Sequence, residues 1–236
     1  MTVTAILPVP VGLAERRDAV FAQVAGTSPL VRVVRALEKR CDVVVAAAEP
    51  LAEAVRAALV GQGVSRVRVV VSAAPGDRAQ CVAAGLEGLA AGDDVVVNDV
   101  VLHDIDWPIV PAGTLDRIVA ALGDGAVAVM PTRPVTDSVK VVGAGGVLAG
   151  TVDRAELRTV QYPRGFDADV LTVLVARSDS VAFDEIEAVL SAGTPLTLIE
   201  GDDEALSVEL PRDADYLAAL IEGRQDLAGR QDLAGR

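Results

Sequence analysis

Short valine-rich runs, set between segments of helical period, constrain the fold of this chain more than any other feature. The run 42–47 (DVVVAA) shows no apolar/polar alternation, so a strand built from it has to be covered on both faces. Comparable runs lie at 2–7, 66–72, 94–97 and 126–130. Between them the period changes to that of a helix. Ser28 and Pro29 read as an N-cap and a first-turn proline, and Leu30, Val33, Val34 and Leu37 then recur on one face of a helix expected to reach about Arg40. Further helices are expected over 50–60, 78–89 and 113–122, the last stopped by Gly123. This is the rhythm of βαβ units, and it predicts an α/β fold with a doubly wound, mostly parallel sheet.

From Pro134 the rhythm breaks. Residues 138–142 are strand-like, Gly143-Ala144-Gly145-Gly146 is a turn, and 147–148 returns antiparallel, which predicts a β-arm over about 138–161 projecting from the sheet. Helices are expected at 167–176, 184–191 and 212–221, with strands at 195–200 and 205–210. One domain is expected over 1–222, followed by a tail, 223–236, that contains QDLAGR twice in succession.

Composition excludes several function classes. The 236 residues are 51% apolar but only 3% aromatic, so one aliphatic core is expected. A net charge of −13 repels phosphate backbones, and no Lys/Arg cluster with interleaved aromatics offsets it, which argues against nucleic acid as a partner. A phosphorylated small molecule needs only a few converging cations and stays compatible. No apolar run approaches the roughly 18 residues of a membrane span, and no basic segment precedes the first apolar stretch, so a cytoplasmic protein is expected. Cys41 and Cys81 have no metal-ligand spacing and read as core residues.

Ligands of open α/β sheets sit beyond the carboxyl ends of the strands, so the segments after the first, third and fourth strands should converge. After the first lie Pro8, Gly12 and Arg16. Gly76-Asp77-Arg78 opens a helix whose free amides favour an anion, or whose Asp77 serves as a cap. Asp99 follows the run VVVN, where an acid either holds Mg²⁺ against nucleotide phosphates or occupies a turn. His103, the only histidine, is followed by Asp104 but has no nearby nucleophile to activate, and reads as a loop residue.

Three ordered stretches carry a family resemblance: Pro134-Val135-Thr136-Asp137-Ser138-Val139-Lys140, Thr151-Val152-Asp153-Arg154, and Val160-Gln161-Tyr162-Pro163-Arg164-Gly165-Phe166. They are similar to the P-V-x-D-T-[IM]-K strand, the V-x-R segment and the Q-T-P-Q-x-F turn of the 2-C-methyl-D-erythritol 4-phosphate cytidylyltransferases. Arg78 falls on the Arg of that family's G-x-x-R-x-x-S-V, and Asp99 on the Asp of its H-D-A-A-R. The resemblance spans about residues 3 to 220.

What the resemblance implies is a Rossmann-like nucleotidyltransferase fold and transfer of CMP from CTP to a sugar-alcohol phosphate, a step of the non-mevalonate isoprenoid pathway. It further implies Mg²⁺ on Asp99, catalytic Arg16 and Lys140, nucleotide contacts from Pro8, Gly12, Gly76 and Arg78, acceptor contacts from Asp137, Arg154 and Arg164, and a homodimer formed through the arm. The chain departs from the pattern in its first loop, where Pro10 and side chains replace the family's glycines. Tyr162 and Arg164 replace a Thr and a Gln, Glu209 stands where a cation is expected, and Asp184-Glu185 is all that is left of a T-D-D-A motif. These departures keep two other readings open: a silent relative serving as a dimeric binding protein, and a transferase with a changed substrate.

Overall fold

The structure, a computed structural model, describes residues 3–90, 98–178 and 183–234. Its centre is strand β1 (Val3–Val9), every residue of which is buried. Ala5, Leu7 and Val9 face one apolar cluster and Ile6 the other, so β1 is covered on both sides, as its unbroken apolar run requires. Helix α1 (Arg17–Phe21) is one short turn. Helix α2 (Pro29–Leu37) begins as expected, with the Ser28 hydroxyl accepting from the Val31 amide and Pro29 in the first turn. It buries Leu30, Val31, Val33, Val34 and Leu37, leaving Arg32 and Arg35 to the other side.

Strand β2 (Asp42–Ala47), helix α3 (Glu49–Gly61), strand β3 (Arg68–Val71) and helix α4 (Arg78–Ala90) continue the alternation. Strand β4 is Asp99–Leu102, whereas the strand expected at 94–97 lies outside the described residues. Helix α5 (Ala112–Gly123) and strand β5 (Ala128–Pro134) follow. Strands β6 (Lys140–Val142) and β7 (Leu148–Thr151) pair antiparallel as a separate two-stranded sheet, which is the expected arm. Strands β8 (Arg158–Val160) and β9 (Arg164–Asp167) then return to the main sheet. Helices α6 (Ala168–Ala176) and α7 (Glu185–Ala192), capped by Asp167 and Asp184, precede strand β10 (Thr197–Glu200) and the closing helix α8 (Ala214–Ala234). Helix α8 runs through the first QDLAGR and into the second, so no helix end marks residue 222.

The main sheet has the order β10-β5-β9-β4-β1-β2-β3, with β8 paired to β5. Its neighbours are parallel except around β9, which is antiparallel to both β4 and β5, and β8, which is antiparallel to β5. The arrangement is the expected α/β fold. Helices α2, α3 and α5 cover one face; α4, α6 and α7 cover the other. The strand expected at 205–210 does not form: Val208 donates to the Asp106 carbonyl at 2.8 Å, and Val208 and Leu210 join Ile109, Leu217 and Ile221 in a small separate core. Cys41 and Cys81 are buried free thiols, as read from the sequence.

β9 fits between β4 and β5 only because Gly165 has no side chain. A Cβ there would stand 2.5 Å from Ile118 Cγ2 and 3.0 Å from Leu122 Cδ1, both on α5. Gly165→Ala is therefore expected to destabilise the fold by about 1–3 kcal/mol, read as a lower denaturant midpoint at constant slope. An unchanged midpoint would contradict the packing of α5 on β9.

Candidate functional site

Because β1, β2, β3 and β4 run parallel, their carboxyl ends share one edge of the sheet, and the antiparallel β9 brings its first residue there: Arg164 is in register with Leu102. That edge gathers a cluster of charged and aromatic side chains. At its centre lies Glu185, the first residue of α7, whose side chain is 1% exposed. Glu185 Oε1 accepts from Arg78 Nε at 2.8 Å. Its Oε2 accepts from the Tyr162 hydroxyl at 2.7 Å and from Arg164 Nη1. Arg78 also donates to Asp104 Oδ2 at 2.7 Å and to the Tyr162 hydroxyl at 2.8 Å. The Arg164 guanidinium stacks 4.0 Å from the centre of the Tyr162 ring.

Burial alone would weaken the charge on Arg78, but Glu185, Tyr162 and Asp104 overcome that cost and push its pKa up. Burial first, then Glu185, raises the Tyr162 phenol, against the pull of Arg78 and Arg164, so it stays neutral and able to donate. Two arginines and two carboxylates therefore close on one another, and neither arginine points freely at a ligand. The two departures noted in the Q-T-P-Q-x-F turn, Tyr162 and Arg164, together with Glu185, make up most of this network.

The segment after β4 forms the other wall. His103 is fully buried and its Nε2–H donates to the Trp107 carbonyl at 2.8 Å, since a carbonyl can only accept. Burial holds the imidazole pKa down, to about 4. Asp104 Oδ1 accepts from the Asp106 amide at 2.9 Å, and Asp106 pairs with Arg16 at 3.4 Å. Burial, then Asp104, raises the Asp106 carboxyl.

The expected residues distribute unevenly about this edge. Asp99 is not at the strand end. It is the first residue of β4, in register with Val3 and Asp167, at the amino end of the parallel strands. Among the described residues its Oδ2 is buried without a partner, and burial and Asp167 raise its pKa. A literal H-D pair, His103-Asp104, stands beyond the carboxyl end of β4, five residues after Asn98-Asp99, and is followed by Ile105, Asp106 and Trp107. Both segments are valine-rich, and periodicity alone does not separate them.

Pro8 lies within β1, and the loop beyond it is a 3₁₀ turn over Val11–Ala14 with Leu13 buried in the core. Pro10 has no N–H, the Val11 amide donates to the Gly76 carbonyl at 2.7 Å, and the Leu13 amide donates to Pro10 at 3.0 Å. A Cβ on Gly12 would meet nothing within 4 Å, whereas Gly76 is required, with φ +82° and a virtual Cβ 2.7 Å from that of Ala48. At the start of α4, Asp77 Oδ1 accepts from the Gln80 amide while Gln80 Oε1 accepts from the Gly76 and Asp77 amides, a reciprocal cap that occupies these donors.

Asp137, Lys140 and Arg154 lie on the exposed arm rather than in the cluster. Lys140 Nζ donates to Thr151 Oγ1 at 2.8 Å, and Arg154 donates to the Thr136 carbonyl. Glu209 is exposed and pairs with Arg212 at 2.8 Å. Sequence reasoning missed Glu185 as the centre of the network; its only signal was its place in the remnant of the T-D-D-A motif. Among the described residues no group of three or more His, Cys, Asp or Glu is arranged to hold a metal by itself.

Two perturbations test this geometry. Glu185→Ala leaves Arg164 buried without its counter-charge and Arg78 with Asp104 alone, and is expected to cost about 3–5 kcal/mol of unfolding free energy; a loss below about 1 kcal/mol would contradict the network. The His103 imidazole titrates at 6.5 when exposed and at about 4 when folded. Between those values the unfolded chain holds the extra proton, so stability is full above pH 6.5 and falls as the pH drops towards 4. The expected loss is roughly 1–2 kcal/mol from pH 7 to pH 5. Chemical denaturation of wild type and His103→Asn at both pH values checks this: the variant should lack that share of the slope.

The family model for 2-C-methyl-D-erythritol 4-phosphate cytidylyltransferase matches residues 11–222. Proteins of that name from Rhodococcus jostii (strain RHA1) and Frankia casuarinae are 35% and 37% identical to the chain, over 215 and 199 residues. The first alignment covers 90% of each protein, the second 83% of this chain and 71% of the relative. A crystal structure of 4-diphosphocytidyl-2C-methyl-D-erythritol synthase superposes with a TM-score of 0.75 at 25% identity, covering 93% of this chain and 98% of the other. The 2-C-methyl-D-erythritol 4-phosphate cytidylyltransferase of Thermus thermophilus does so with a TM-score of 0.72 at 25% identity, covering 94% and 100%.

Proposed function

The chain belongs to the 2-C-methyl-D-erythritol 4-phosphate cytidylyltransferase family, and from that premise we propose that it joins CTP to 2-C-methyl-D-erythritol 4-phosphate, with pyrophosphate leaving. The observation that carries this reading is the strand-end edge, where Arg16, Arg78, Asp104 and Asp106 converge from three crossovers. A phosphate oxygen of the acceptor attacks the α-phosphorus of CTP in line, the bond to the β-phosphate oxygen breaks, and pyrophosphate carries away the displaced electron pair. In such a reaction the protein supplies positioning and charge.

Arg16 is exposed and, among the described residues, held by a long pair to Asp106, which leaves it able to act on the phosphates. Arg78 positions Asp104 and acts through it. Pro8, Gly12 and Gly76 form the floor under the nucleotide, tied together by the Val11 amide on Gly76. Lys140, Asp137 and Arg154 meet the acceptor from the arm, with Arg164 behind them. Val141, Val142, Val147 and Leu148 are exposed on that arm, and pairing them in a homodimer carries Arg154 to the partner's pocket. The protein is proposed to act in the cytoplasm; among the described residues no helix is long and apolar enough to cross a membrane.

The donor set fits Mg²⁺ at Asp104 and Asp106, two carboxylates on one segment: burial first, then the charge of Asp104, raises the Asp106 pKa, and a hard cation would relieve that repulsion. When bound, the ion supplies charge neutralisation on the phosphate oxygens. Asp99 is unsuited to that task at the opposite end of β4.

Pyrophosphate release from CTP, methylerythritol phosphate and Mg²⁺ tests the assignment. Asp106→Asn is expected to raise the Mg²⁺ requirement and lower kcat/KM by about 10²-fold, whereas Asp99→Asn stays within about twofold at 25 °C. No release by the wild type overturns the function, and a larger loss in Asp99→Asn than in Asp106→Asn overturns the metal assignment.

A further inference from the structure

A cavity of about 300 Å³ opens between α2, the segment that continues beyond Trp107, and α8. It shares no residue with the strand-end cluster. Arg32 and Arg35 enter it from α2, Lys39 from just beyond that helix, and Arg224 from α8. Four cations around one hollow stand out in a chain of net charge −13. The C-terminal end of α2 favours nearby positive charge, which accounts for Arg35 and Lys39 but not for Arg32, a turn further in, or Arg224, on another helix.

The partners of Arg32 and Arg35 leave their charge uncompensated. Arg32 Nη2 donates to the Val24 carbonyl at 2.7 Å and Arg35 Nη2 to the Gln62 carbonyl at 2.6 Å. A carbonyl satisfies a hydrogen bond without neutralising a guanidinium. Arg32 Nε is buried and, among the described residues, has no acceptor. Among the described residues, only Arg224 of the four has a carboxylate partner, Glu204 at 2.9 Å. Burial and the nearby Arg35 both weaken the charge on Arg32, so bringing these cations together without an anion is unfavourable. The opposite wall is apolar, formed by Pro108, Ile109 and Ile221.

We propose that this cavity is a second binding site, separate from the site of transfer, for a phosphate monoester with an apolar body. Guanidinium forks match the geometry of phosphate oxygens, and the Ile109–Ile221 wall accepts the organic part. The volume lies at the small end of ligand pockets, which suits one phosphate and one ring or short chain rather than a nucleoside triphosphate.

Calorimetric titration of the full chain with phenyl phosphate tests the site, with inorganic phosphate and phenol as separate arms. Phenyl phosphate is expected to bind one to one with a Kd at or below about 1 mM, inorganic phosphate about tenfold more weakly, and phenol not detectably. Arg35→Gln/Lys39→Gln, whose side chains are exposed and outside the packed face of α2, should retain the wild-type melting temperature and lose about tenfold in affinity. Saturating CTP should leave the titration unchanged. The site is overturned by no binding to the wild type, by undiminished affinity in the double variant, or by displacement with CTP. None of these readouts requires turnover, so the proposal fails or stands independently of the transferase reading.

Discussion

The arrangement of the strand ends depends on one buried carboxylate. Glu185 joins elements far apart in sequence: Arg78 at the start of α4, Tyr162 and Arg164 at the turn into β9, and, through Arg78, Asp104 beyond β4. Desolvating such groups is costly, and the cost is offset only when each charge meets an opposite charge in good geometry. Here each charge meets an opposite one, although among the described residues Arg164 Nε is buried without an acceptor, and the network holds α4, α7, β4 and β9 in one relation to each other. It also removes Arg78 and Arg164 from the stock of cations available to a phosphate. What is left on the open side is Arg16 and the carboxylates of Asp104 and Asp106, and the proposed chemistry is built on these.

The loop after β1 follows the same economy of donors. In a glycine-rich phosphate loop the backbone amides are free to converge on an anion. Here Pro10 has none, and those of Val11 and Leu13 are bonded within the protein. Across from the loop, Gln80 occupies the amides of Gly76 and Asp77. On the proposed reading a nucleotide would be held more by side-chain charge and a bound cation than by backbone, so its binding would be more sensitive to salt and to Mg²⁺ than in a backbone cradle.

Much of the fold was legible in the sequence because strand and helix periods differ so clearly. The strand at 42–47 and the capped start of α2 came directly from local pattern. The family and its activity were legible in the three motif stretches. The metal position was not. Asp99 was read as following a strand, whereas its pairing with Val3 and Asp167 makes it the first residue of β4, and His103-Asp104 follows the carboxyl end of that strand. Strand β9 was missed because R-G-F-D has no strand-like run and is held in place by its neighbours. Residues 205–210 alternate as a strand does, yet their apolar side chains pack onto α8 instead of a sheet. Glu185 was invisible as a centre because its partners are brought to it only by the tertiary fold.

The most direct test of the account is a crystal structure with CTP and Mg²⁺ bound. The account places the triphosphate at the carboxyl ends of β1 and β4, with the cation on Asp104 and Asp106, Arg16 turned onto the phosphates, and Arg78 still bonded to Glu185. A cation on Asp99, or Arg78 released from Glu185 to grip the phosphates, would contradict it.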